Sequence, residues 1–169
     1  RARTELDSLY WPAVLVEAER LYEKDNWEEA QAAAAQVLAL CPSSAGAWSL
    51  LGQMSVDSFN FERAEAIGAR LDRLARSLDA PNEAGDGTAG EAGPGSAGAA
   101  IILARARLRQ NDPDAAEALL GPILDRFPRM RPALALRAAT AAERYDFAEA
   151  DRLLAAFDAL SRGSPAALL

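Results

Sequence analysis

Alanines recur along this chain at an interval that points to stacked copies of a single unit. Ala30 and Ala64 are 34 residues apart, Ala116 and Ala150 are again 34 apart, and Ala64 and Ala116 are 52 apart, an excess of 18. Pro42 and Pro128 are separated by 86, one interval of each kind. Residues 81–98 number 18 and hold six glycines and two prolines with no apolar period. That composition reads as a flexible linker inserted between two units without breaking either. A fixed period near 34 predicts a unit that cannot bury its apolar face alone and must stack on its neighbours.

Each unit reads as two helices and a tight turn. Val14, Leu15, Ala18, Leu21 and Tyr22 form one apolar stripe from Pro12 to about Lys24, and Trp27, Ala30, Ala34, Val37 and Leu38 form the next, closed by Pro42. Ser43 or Ser44 can cap a helix running to about Asp57, and Asn60 one from Phe61 to about Leu78. A third pair carries Ile101, Leu103, Ala104 and Leu108, then Asp112-Pro113 as cap and first residue, then Ala116, Leu119, Leu120 and Ile123. The fourth opens at Arg131-Pro132, turns at Arg144-Tyr145-Asp146 and continues through Phe157 to Gly163. The expected repeats are 11–44, 45–80, 97–130 and 131–164, about eight helices, with 165–169 starting a further helix.

Small residues stand at matching places in every unit: Ala18, Gly52, Ala104 and Ala138 on the first helices, Ala30, Ala64, Ala116 and Ala150 on the second. They are expected where two helices approach closely, since a larger side chain there would cost roughly 1–3 kcal/mol by overpacking. Trp27, Phe61 and Phe147 start three of the second helices and are expected to fill the wedge at the hairpin turn; Pro113 stands in the third. The stretch with Trp48, Leu51 and Gly52 on one helix and Phe61 and Ala64 on the next resembles a tetratricopeptide repeat. The resemblance implies an all-α, right-handed solenoid of antiparallel helix hairpins with the first helices on its concave side. Gly68 stands where that family usually has a larger side chain, so the packing between the second and third hairpins is expected to differ.

Composition narrows the function. A net charge of -7 and a pI near 4.7 argue against a nucleic-acid partner. The acidity is uneven: residues 1–80 carry 8 basic and 13 acidic side chains, residues 99–169 carry 10 and 9. With no histidine and the single Cys41, a disulfide framework or a thiolate metal site within the chain is excluded; Cys41 is expected as a small buried hydrophobe. No phosphate-cradling glycine loop and no nucleophile paired with a base is present, so no enzyme site, cofactor or metal is expected. No run of about 18 apolar residues occurs, so no membrane insertion is expected and a cytoplasmic location is favoured. Seventeen arginines against the lone Lys24 suggest a bacterial source, and the absence of an initiator methionine suggests a piece of a longer chain.

On the resemblance, the concave face runs from acidic (Glu19, Glu23, Asp57) to basic (Arg105, Arg109) to nearly bare (Ala135, Ala139, Ala142). The expected peptide-binding residues are Tyr22, Gln53, Val56, Arg105, Leu108 and Arg109. The two arginines would grip a carboxylate and Tyr22, Val56 and Leu108 would give apolar contact, so an acidic, partly hydrophobic peptide is the expected ligand. Arg126, Arg129, Arg131 and Arg137 are expected to cluster around the junction of the third and fourth hairpins, where they serve solubility or meet an acidic partner or the acidic first half of another copy. The expected function is a protein–protein interaction scaffold; the alternatives are a regulatory or spacer region of an enzyme-containing protein and self-association through the open solenoid ends.

Overall fold

The computed structural model describes residues 10–79 and 97–162, which form eight α-helices and the short turns between them. They are α1 (Trp11–Glu23), α2 (Trp27–Leu40), α3 (Ala45–Asp57), α4 (Phe61–Asp79), α5 (Ala97–Arg109), α6 (Pro113–Arg126), α7 (Arg131–Glu143) and α8 (Phe147–Arg162). Each helix packs on the next in the chain, so the fold is an all-α solenoid of four hairpins. The first helices of successive hairpins also pack on one another, α1 on α3, α3 on α5 and α5 on α7, while among the described residues no comparable pairing joins the second helices. The stack therefore curves towards its first helices. Among the described residues no helix is long and apolar enough to cross a membrane.

The hairpin turns repeat with the same intervals as the alanines. Asp25, Phe59, Asn111 and Tyr145 have φ of 61°, 59°, 60° and 63°, the left-handed conformation that reverses a helix end. In the first turn the N–H of Asn26 donates to the Leu21 carbonyl at 2.9 Å and that of Asp25 to Tyr22 at 3.0 Å; equivalent pairs of bonds close the other three. The following residue then caps the next helix. Asn60 accepts from the Arg63 N–H at 3.1 Å, Asp112 from Ala115 at 3.0 Å and Asp146 from Glu149 at 3.1 Å, whereas Asn26 makes no such side-chain bond. Turns between hairpins also match: Ser44 N–H donates to the Cys41 carbonyl, and Met130 N–H to Phe127, both at 3.0 Å around Pro42 and Pro128. At Ser44 the expected cap forms, its hydroxyl accepting from the Ala47 N–H.

All eight small repeat residues are buried. What they make room for differs from helix to helix. A Cβ on Gly52 would lie 2.6 Å from Ile102 Cδ1 and 3.2 Å from Ile67 Cγ2, so this glycine admits a side chain from the next hairpin as well as one from its own. Gly68 is filled in the same manner by Leu103, whose nearest carbons would be 3.1 Å from a Cβ there. On α5, Ala99, Ile102 and Ala106 belong to the core cluster of the first two hairpins and Ala100 and Ala104 to that of the last two. The helix after the insertion thus has two buried sides and couples the halves of the stack.

Three expectations need correction or restriction, and one feature was not expected. Ala97 and Gly98, which the expected insertion 81–98 and third repeat 97–130 share, belong to the first turn of α5, where Gly98 lies close to the Ser49 hydroxyl; residues 80–96, Gly163 and residues 165–169 lie outside the described residues. Trp27 and Phe61 pack against the first core cluster, but Phe147 is 61% exposed and pairs edge-to-face with Tyr145, because among the described residues no further hairpin covers α8. Cys41 is only half-buried, in the turn before Pro42, with its sulfur 3.7 Å from the Ser43 hydroxyl. Pro122 lies inside α6, unforeseen; it is exposed, as is Ala118, to whose carbonyl it can donate no bond, and Gly121 before it has no Cβ to strike the proline ring.

Candidate functional site

The first-helix face is built by α1, α3 and α5, and its central feature is a carboxylate. Asp57 is the last residue of α3, where the helix dipole disfavours negative charge. Cations from the next hairpin answer it. Arg105 donates from Nη2 to Asp57 Oδ1 at 2.8 Å, and Arg109 Nη2, one turn later on α5, lies 3.6 Å from the same oxygen. From the other side, Tyr22 at the end of α1 donates its hydroxyl to Asp57 Oδ2. The Asp57 side chain is left 12% exposed, those of Arg105 and Arg109 32% and 48%.

This arrangement brings Tyr22, Arg105 and Arg109 together as the sequence predicts, but around an internal anion. Burial raises the pKa of the Tyr22 phenol, and its bond to negative Asp57 raises it further, against an opposing pull from Arg105. The Tyr22 ring also meets Trp27 edge-on, with centroids 5.8 Å apart, and Arg109 lies 5.7 Å over the exposed ring of Phe59. Asp57 is the residue whose role sequence reasoning missed. Arg105 and Arg109 stand 48 and 52 positions from Asp57 in the sequence, so no local pattern marks the pairing.

Val56 is a correction. It is fully buried, because α3 lies between α1 and α5 as well as against α2 and α4, and little of its surface remains open. Leu108 packs against the core cluster of the last two hairpins, so its apolar surface is largely spent there. Gln53 does face a cleft, of ≈ 310 Å³, between α1 and α3. Glu19, Tyr22, Glu23 and Ser49 line it with Gln53, over Gly46 and Leu50.

Of the four arginines at the later junction, Arg126 and Arg129 line one crevice with Phe127, Pro128 and Met130. Arg137 is held by Glu117 through Nε at 2.9 Å and Nη2 at 2.8 Å. Arg131 lies 4.6 Å over the ring of Phe157 and Arg126 5.3 Å over Phe127, while Arg129 is exposed in the turn between them. A related crevice recurs between hairpins on the side of the second helices. Arg107–Glu65 at 2.9 Å and Arg137–Glu117 at 2.8 Å bridge it in the later hairpins; in the first it is lined by Trp27, Gln31, Leu51, Met54 and Arg63.

No family model matches the chain, and no curated protein matches it.

Proposed function

We propose that the chain is a tetratricopeptide-like protein-interaction module that binds an extended segment of a partner protein along its first-helix face. The observation carrying this reading is the repeated hairpin geometry itself. Four left-handed turn residues recur at intervals of 34, 52 and 34, so the first helices are set side by side in one curved surface. Such a surface suits an extended chain, because contacts repeat along it as the repeats do. Its polar residues Glu19, Glu23, Ser49 and Gln53 border a cleft and leave side-chain groups open to a ligand.

Peptide display on the immobilised chain tests the proposal. Selected peptides are expected to perturb the backbone amide resonances of α1, α3 and α5, and to compete with one another. Selections whose binders perturb only α2, α4, α6 and α8, or that yield no binders, refute binding on this face.

A further inference from the structure

Resting on that reading, we infer that the α1–α3 end of the face is selective for a cationic segment, with lysine or arginine side chains entering the cleft beside Gln53. The expected acidic ligand assumed that Arg105 and Arg109 were free. Both are turned onto Asp57, at 2.8 Å and 3.6 Å, so one of their two positive charges is already matched, and neither lines the cleft. Glu19 and Glu23 are one helical turn apart on α1, both exposed, and among the described residues no basic side chain lines the cleft they border. Gln53 and Ser49 add hydrogen-bonding oxygens on the opposite wall, and Leu50 gives the stem of a long side chain an apolar floor. A guanidinium suits this lining, since its planar fork reaches a carboxylate and an amide oxygen together.

Longer-range charge points the same way. Residues 1–80 carry 8 basic and 13 acidic side chains, so an approaching cation is attracted before contact. An anionic segment meets two open carboxylates and must compete with Asp57 to be held by Arg105.

The test uses two capped synthetic peptides, one alternating arginine with alanine and the other glutamate with alanine, titrated against the whole chain by fluorescence anisotropy at two salt concentrations. Wild type is expected to prefer the arginine peptide. Glu19→Gln/Glu23→Gln should weaken that binding about tenfold, whereas Glu29→Gln/Glu62→Gln, the same charge change on exposed first turns of α2 and α4, should weaken it less than about threefold. Asp57→Asn releases the two arginines, so the arginine peptide should bind less tightly and the glutamate peptide more tightly; circular dichroism confirms that each variant is folded. Preference of the wild type for the glutamate peptide, equal loss in the two glutamine pairs, or binding of neither peptide overturns the inference. If display-selected neutral or acidic peptides still perturb α1 and α3, only the charge assignment has failed; if no peptide perturbs this face, the interaction reading has failed with it.

Discussion

Replacing Gly52 by alanine sets helix propensity against packing in a way the structure decides. In an unconstrained helix interior the change should stabilise by about 1 kcal/mol. Here the new methyl would stand 2.6 Å from Ile102 Cδ1 and 3.2 Å from both Ile102 Cγ1 and Ile67 Cγ2. Carbon atoms prefer about 3.5–4.0 Å. Ile102 is 1% exposed and Ile67 5%, so neither can swing into solvent. Overpacking of this kind costs about 1–3 kcal/mol, which leaves a net loss of up to about 2 kcal/mol. For a chain of this size that lowers the melting temperature by a few degrees, about 2–4 °C per kcal/mol. Ile102→Val removes the closest atom and alone should cost about 0.5–1.5 kcal/mol. The double variant should therefore be more stable than the two single changes added together, by about 1 kcal/mol or more. Gly68→Ala is a graded comparison, because Leu103 is only half-buried and can yield the few tenths of an ångström required; it should be close to neutral. Thermal and urea unfolding followed by circular dichroism measures all four variants. A Gly52→Ala protein that melts higher than wild type, or a double variant that is merely additive, refutes the three-helix contact.

Tyr145 holds a φ of 63° while 82% exposed, so Tyr145→Gly should stabilise by about 0.5–1 kcal/mol in urea unfolding, the relief of the left-handed backbone exceeding the lost edge contact with Phe147. Pro122→Ala should stabilise by about 1–2 kcal/mol in the same assay, restoring a donor to the Ala118 carbonyl in the interior of α6. Because the Tyr22 pKa is raised on folding, its stabilising contribution is complete below the ordinary tyrosine pKa near 10 and falls as pH rises through the higher folded value. Unfolding free energies across that alkaline range should accordingly fall more steeply for wild type than for Tyr22→Phe; parallel curves refute the assignment.

Much of the architecture was legible because the features that set it are local and repeated. A proline stops a helix through its own ring, an asparagine or aspartate caps the next one through its own side chain, and neither needs a distant partner. Asn60, Asp112 and Ser44 accordingly cap where the sequence places them. The turn itself was less legible, since Phe59 and Tyr145 adopt the left-handed conformation without the glycine that usually marks it. Only the position of the turn relative to its flanking helices identifies them. The site was legible as a place but not as a charge. Tyr22, Arg105 and Arg109 were assigned to one face by the resemblance, and they do converge there.

By itself, then, the sequence determined the helix pairs, their period, the small residues that let them approach and the uneven distribution of charge. These follow from spacing along one chain. The tertiary structure alone decided which side chain fills each notch and which charge meets which. Ile102 enters beside Gly52, and Arg105 reaches Asp57, across 50 and 48 positions that include the insertion. Burial of Val56 was decided in the same way, by helices packed on both sides of α3. Side-chain pairing at such separations depends on the distance and rotation between helices, and small differences there turn an open arginine into one already held by a carboxylate.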